Sequence, residues 1–485
     1  LDHAAYIDGT FRRGEGTAFA VENPSDESIV AEVTGVSTAQ VDAAIASSRA
    51  AFDDGRWSAM PVKDRAAIMY RFGEAMAARA TRFTQLAVDE AGCPIGSSVM
   101  HAQVGTPIKQ IPEIVDYFLT LPEIEENPIQ MHERVGPYGV VQSIKRYTPI
   151  GVASAIAAYN VPVFTALWKV VPGLIAGNSI ILRPNPLTPL SAMLFAESAD
   201  EAGLPPGVLN VIMEGGLEGG QMMTTDPRID MVSFTGSCSV GVKVTEQAAP
   251  TMKKIVLELG GKSAQIFLPD AVDRAPMQAL VIAIAHAGQG CALGTRLFVP
   301  DEAKAKVLEA AAELYGKIKV GPANDTATQT GPVISAAQRA RCEHFTEAAV
   351  AHGGRVIAGG KRPEHLAKGY FFEPTLLDLP DNSNPAAQEE IFGPVASVIG
   401  YRDLDHAVQM ANDSKFGLSG YVHGADKAMA LKVGLAMRSG TVNVNGGMMS
   451  TRASMGGIKM SGVGRERGLE GLRAYQQMSV LNLGG

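Results

Sequence analysis

Cys291, held in Gly288-Gln289-Gly290-Cys291, and Glu258, held in Glu258-Leu259-Gly260-Gly261-Lys262, offer a nucleophile and a separate carboxylate base. A thiol attacks a carbonyl carbon well, but only as the thiolate, a minor fraction of an ordinary cysteine at neutral pH. Its surroundings are therefore expected to help it ionise. Glycines on the N-terminal side of Cys291 let the backbone approach a ligand and leave room beside the sulfur. Glu258 closes the apolar run Ile255-Val256-Leu257, which reads as a buried strand, and the glycines after it force a turn. A carboxylate at the C-terminal edge of a strand lies where an open α/β sheet builds its site. A lone buried cysteine is ordinarily inert, so the reading depends on what surrounds it. His286 is discounted as a partner, because five positions along a helix set two side chains about 140° apart.

The elements that must position these groups are legible in the spacing of apolar residues. Residues 38–92 read as helices, over 41–52 and 66–86, with Thr38 and Pro61 suited to helix starts. Residues 128–147 read as a hairpin around Gly136-Pro137-Tyr138-Gly139, expected to lie against another subunit or against a C-terminal strand near Ser479-Val480-Leu481. Between 150 and 260 the pattern alternates: strands at 151–158, 179–182, 208–213, 231–234 and 254–257, helices at 163–176, 191–202, 217–224 and 240–249. Alternation at this pitch predicts a parallel sheet covered on both faces, a nucleotide-binding architecture. The α/β style continues over 262–460, with strand-like runs at 265–268, 356–358 and 419–422.

No strand in that sheet is followed by G-x-G-x-x-G. The lookalike at Gly462-Val463-Gly464 reads as a turn-rich loop, and Val256 breaks any P-loop reading of Gly260-Gly261-Lys262-Ser263. What remains is Phe234-Thr235-Gly236-Ser237 at a strand end. There Gly236 permits a tight turn, and Ser237 either meets a pyrophosphate with the helix N–H groups or caps the helix. The second strand ends in Arg183, near where a dinucleotide domain reads its ribose, and suits either a ribose hydroxyl or a 2′-phosphate.

Bulk properties bound the rest. A chain of 485 residues, 46% hydrophobic and 19% charged, is an ordinary globular protein of two or three domains. A net charge of −8 without a basic stripe argues against nucleic acid. No apolar run is of membrane-spanning length, and no signal peptide is visible. Cys93, Cys238, Cys291 and Cys342 form no C-x-x-C pair, which disfavours a disulfide framework or a zinc site and leaves no metal expected. A reducing, cytoplasmic setting fits best.

Together these residues resemble the aldehyde dehydrogenase superfamily of the NAD(P)-dependent, hydrolytic type, from Asn23-Pro24 to the final strand. The glutamate and cysteine motifs match, as do Glu390-Ile391-Phe392-Gly393-Pro394 and the segment of Tyr159-Asn160 and Trp168-Lys169. The resemblance implies an α/β fold with a Rossmann-like cofactor domain (1–126 and 150–261), an α/β catalytic domain (262–460) and a β-ribbon oligomerisation element (127–149 and 461–485). It implies that Cys291 attacks the aldehyde, that the Asn160 amide and the Cys291 N–H hold the oxyanion, and that hydride transfer leaves a thioester. Glu258 would then activate the hydrolytic water, with Lys169 as a relay. Cofactor contacts would come from Ile156, Arg183, Gly216, Phe234, Gly236, Ser237, Leu259, Glu390 and Phe392, with NAD slightly favoured over NADP.

The chain departs from the family pattern where many members grip the adenosine ribose with Lys and Glu, having Arg183 and Pro186 instead. Ala285 and Met455 stand where bulky aromatics often line the entry, which suggests a wide pocket for a medium or large apolar aldehyde. A homodimer or homotetramer is implied. The alternatives are a CoA-acylating relative, disfavoured by Glu258, and a non-catalytic binding protein, disfavoured by the presence of Cys291, Glu258 and Asn160 together.

Overall fold

The computed structural model describes residues 3–134, 139–447 and 450–484. The helical region opens as its capping residues dictate. The Ser37 hydroxyl accepts the Gln40 N–H at 3.3 Å and the Gln40 side chain accepts the Ser37 N–H at 3.1 Å, a capping box that starts helix Thr38–Asp53. Pro61 precedes helix Val62–Ala78, and helix Ala80–Asp89 follows directly.

Strands Val152–Ile156, Ser179–Arg183 and Leu209–Ile212 are buried at every residue, as a parallel sheet covered on both faces requires. They are adjacent and parallel, and Met231–Thr235 and then Lys254–Glu258 add on the other side of the first strand. The strand order is therefore third, second, first, fourth, fifth, the arrangement of a dinucleotide-binding sheet with its crevice between the first and fourth strands. Helices Pro162–Ala176 and Ser191–Ala202 make the crossovers. The first ends on Gly177 at φ 99°, a left-handed residue that an L side chain rarely tolerates.

Two features of the eight-stranded sheet differ from expectation. Strands Ala5–Ile7 and Thr10–Arg12 extend one edge. At the other edge Gly462–Val463, read in the sequence as a loop, forms a short antiparallel strand against Leu257 and Glu258. Gly462 makes this possible, since a Cβ there would stand 1.9 Å from the Leu257 carbonyl oxygen.

A second sheet of seven strands spans Ala264–Phe267 to Thr441–Val444 and is parallel except at Arg355–Ala358. A third sheet of three strands pairs Val140–Pro149 with Gln476–Gly484 on one side and Ile124–Glu126 on the other. The expected hairpin is thus displaced. Its first strand is Ile124–Glu126, ahead of residue 128, and the short helical turn Met131–Arg134 follows it. Gly136, Pro137 and Tyr138 of the expected turn lie outside the described residues. Of the two expected neighbours of this ribbon, the chain's own C-terminal strand is present, with Val480 opposite Lys145. Among the described residues no helix is long and apolar enough to cross a membrane.

Candidate active site

Cys291 lies between helix Ala275–Ile284 and strand Arg296–Pro300, in a segment bent by consecutive positive φ values at His286, Ala287 and Gly288. Gly288 is required there, because a Cβ would stand 1.9 Å from the Gly393 carbonyl oxygen. The bend turns Gln289 inward, where its side chain accepts the Ile334 N–H at 2.9 Å and donates to the His286 carbonyl at 3.2 Å. The Gln289 carbonyl accepts one N–H of the Asn160 amide at 2.8 Å. Asn160 is buried, and its backbone carbonyl accepts Gln103 Nε2 at 2.7 Å. The Asn160 amide is thus locked against the cysteine loop with its second N–H to spare. On the far side, Tyr421 donates its hydroxyl to the Ala292 carbonyl at 2.9 Å.

Cys291 is half-buried as a residue, and desolvation of its thiol, followed by the charges of Glu390 and Glu258, pushes its pKa up to about 12. The expectation that the surroundings ionise Cys291 is therefore reversed for the protein alone: the charged side chains that act on it among the described residues are the carboxylates of Glu390 and Glu258. His286 is buried, and burial lowers its pKa to about 4 against the opposing effect of the Asn160 backbone.

Glu258 ends strand Lys254–Glu258 opposite Thr235. The loop after it meets the cysteine loop so closely that a Cβ on Gly261 would lie 2.5 Å from the Cys291 carbonyl oxygen. Neither Glu258 carboxylate oxygen has a protein hydrogen bond, though both are buried. Burial and then the charge of Glu466 raise its pKa to about 8, against the pull of Lys169 and Arg465. Lys169, fully buried, does not bond Glu258. Its ammonium pairs with Glu466 and donates to the Ser233 hydroxyl at 3.2 Å, and Ser233 in turn donates to Glu466 at 3.3 Å. Glu466 escaped sequence reasoning because nothing in Gly464-Arg465-Glu466-Arg467 marks it. Only the return of the chain to the edge of the first sheet brings it to Lys169.

The expected cofactor residues gather at the C-terminal edge of that sheet. Phe234, Ile156 and Arg183 stand in one row across three neighbouring strands. Gly236 turns the chain tightly enough that a Cβ would lie 2.4 Å from the Phe234 ring. Ser237 caps helix Cys238–Ala248, accepting the Val240 N–H at 3.4 Å, and its hydroxyl is exposed. Leu259 packs under the same helix, where a Cβ on Gly241 would come within 2.6 Å of it. Thr235 Oγ1 is buried without a protein partner at this edge. Glu390 accepts the Gly261 N–H at 2.9 Å, and Phe392, at φ 61°, meets the Tyr159 ring edge-on at 5.9 Å.

An unpartnered hydroxyl, a glycine cradle and an open helix N-terminus at the switch point of the sheet fit a dinucleotide. Arg183 is placed differently from expectation. It is not free toward a ribose but held by Glu214 at 2.5 Å and by the Gly216 carbonyl at 2.8 Å. Glu214, too, went unread in the sequence. A separate cavity of about 400 Å³, lined by Asn23, Asp26, His365 and Lys368, includes none of these residues.

Comparison with known proteins agrees with this geometry. The family model "Aldehyde dehydrogenase family" matches residues 11–481. A putative aldehyde dehydrogenase of Staphylococcus aureus is 34% identical over 480 residues, covering 98% of each chain. A mutant of aldehyde dehydrogenase C from Pseudomonas syringae, crystallised with NAD+ and octanal, superposes with TM-score 0.92 at 35% identity, covering 99% of this chain and 96% of its own. An aldehyde dehydrogenase of Mycobacterium tuberculosis complexed with NAD+ gives TM-score 0.93 at 37% identity, covering 100% of this chain and 98% of its own.

Proposed function

The chain belongs to the aldehyde dehydrogenase family, and on that basis we propose that it oxidises an aldehyde with NAD and releases the free carboxylic acid. The observation that carries the acid product is Glu258: a buried carboxylate with no protein hydrogen bond, one loop away from Cys291. Because burial raises the Cys291 thiol to about 12, its proton would pass to a base as the sulfur bonds the aldehyde carbon, and the unpartnered carboxylate of Glu258 is available to take it and return it to solvent. The second N–H of the Asn160 amide and the Cys291 backbone N–H would hold the oxyanion. Bound NAD supplies the hydride acceptor and a positive nicotinamide ring. Phe234, Ile156, Gly236, Ser237 and Leu259 would seat it, and Glu390 and Phe392 would close over its ribose and ring. Glu258 then takes a proton from the water that cleaves the Cys291 thioester, with Glu466 and Lys169 behind it to carry the charge.

Octanal in the Pseudomonas relative supports a medium or large apolar aldehyde, as does the resemblance that puts Ala285 and Met455 where bulky aromatics often line the entry. The four unpaired cysteines suit a reducing cytoplasm. The ribbon formed by Val140–Pro149 and Gln476–Gly484, with its C-terminal strand exposed, suits assembly into a homodimer or homotetramer. The test is reduced-cofactor formation with an aldehyde panel, with and without CoA. Turnover independent of CoA and increasing with chain length is expected. A strict CoA requirement overturns the acid product, and efficient use of acetaldehyde alone overturns the apolar pocket.

A further inference from the structure

At the C-terminal ends of strands Ser179–Arg183 and Leu209–Ile212 the protein builds an anion site and fills it with its own side chain. Arg183, buried, donates Nε to Glu214 at 2.5 Å and a terminal nitrogen to the Gly216 carbonyl at 2.8 Å. The backbone N–H groups of Gly219 and Gly220, in the first turn of helix Glu218–Thr225, donate to the two Glu214 oxygens at 2.8 and 2.7 Å. The glycines are fitted around this carboxylate: a Cβ on Gly219 would stand 2.8 Å from Glu214, and one on Gly220 would stand 3.3 Å from Arg183 Nε. A guanidinium together with two N–H groups at a helix start is a donor set that ordinarily receives a phosphate.

In a sheet of this strand order, the end of the second strand is where the adenosine ribose of a dinucleotide is read. An acidic residue there takes the 2′-hydroxyl, and an arginine there accommodates a 2′-phosphate. Read alone, Arg183 favours the phosphate. The geometry points to Glu214 as the residue that decides otherwise. Its carboxylate occupies the phosphate-binding donors and neutralises Arg183, which leaves neither a free donor nor a net positive charge for a second anion, so the enzyme takes NAD and rejects NADP. Pro186, which leaves no acid at the position where many relatives have one, is compensated from the next strand. This inference rests on the NAD reading above.

The test compares calorimetric binding of 5′-ADP and 2′,5′-ADP to the whole protein, alongside kcat/KM with NAD and NADP. Wild type should bind 2′,5′-ADP about a hundredfold more weakly than 5′-ADP, because the donors a 2′-phosphate would need are already taken by Glu214. Glu214→Ala should close that gap at least about tenfold by freeing the donors, and adding Arg183→Ala should reverse the gain. Should Glu214→Ala not fold, Glu214→Gln, checked by circular dichroism, carries the same expectation. Equal binding of the two nucleotides by wild type, or an unchanged gap in the folded variants, overturns Glu214 as the selector and leaves NAD use standing. Failure of wild type to bind either nucleotide overturns both.

Discussion

Cys291 and Glu258 both sit in the site in their uncharged forms near neutral pH: burial and the charges of Glu390 and Glu258 raise the first to about 12, and burial and the charge of Glu466 raise the second to about 8. Only ionised Glu258 can take a proton from water, so the hydrolytic step should slow about tenfold per pH unit below 8. A kcat profile flat from pH 6 to 9 under deacylation-limited conditions would contradict this. In Glu258→Gln the first hydride transfer should survive while the thioester accumulates, seen as a burst of reduced cofactor near one per site followed by a stall. Loss of burst and steady state alike would remove Glu258 as the deacylation base. Asn160→Ala should cost about 3 to 4 kcal/mol of transition-state stabilisation, read as a fall in kcat with KM little changed. At this scale the sequence was informative wherever a residue sits in a local motif, as Cys291, Glu258 and Glu390 do. It was silent on Glu466 and Glu214, whose partners Lys169 and Arg183 are 297 and 31 residues away along the chain. A buried carboxylate has no local signature, because what justifies it is a cation delivered by another element.

Elements hold the site through their ends, and one such end is held from a distance. Glu90, just past helix Ala80–Asp89, accepts the N–H groups of Leu190 at 2.9 Å and Ser191 at 3.2 Å, serving as the cap that Leu190 cannot provide for helix Ser191–Ala202. Glu90→Ala leaves two buried donors unmet and should destabilise the fold by about 1 to 3 kcal/mol, measurable by urea unfolding. Burial also raises the Glu90 pKa from 4.5 to about 8. The folded protein therefore keeps a proton that the unfolded chain loses above pH 4.5. Stability should fall as pH rises from 4.5 through 8, a slope that Glu90→Gln should flatten. An identical slope in the variant would assign the effect elsewhere. The alternating strands and helices of the first sheet were legible because short, mostly apolar strands alternate with longer segments at a regular pitch. Ile124–Glu126 and Gly462–Val463 were not, since strands of three and two residues carry no periodicity and exist only through their partners.

For the molecule as a whole, the unresolved physical problem is the strand Gln476–Gly484. It is the outer member of its sheet, nine residues long, and eight of the nine are exposed. Both faces carry apolar side chains: Met478 and Val480 on one, Leu481 and Leu483 on the other, each about half exposed. An edge of this length without a charge, proline or bulge along most of it is a template for pairing, and stable proteins keep such an edge only under a partner. The proposed homo-oligomer would supply that partner as a second copy. Val480→Lys with Leu481→Lys places a charge on each face while leaving the backbone pairing to Val140–Pro149 intact. Light scattering should then report a smaller assembly than wild type, with solubility retained and the far-UV spectrum unchanged. An unaltered mass in the folded double variant would mean that the assembly is built on another surface. The site predicts what should follow in the smaller species. Cys291, Glu258 and Asn160 all come from one chain, so aldehyde oxidation should persist in it, with thermal stability rather than chemistry reduced.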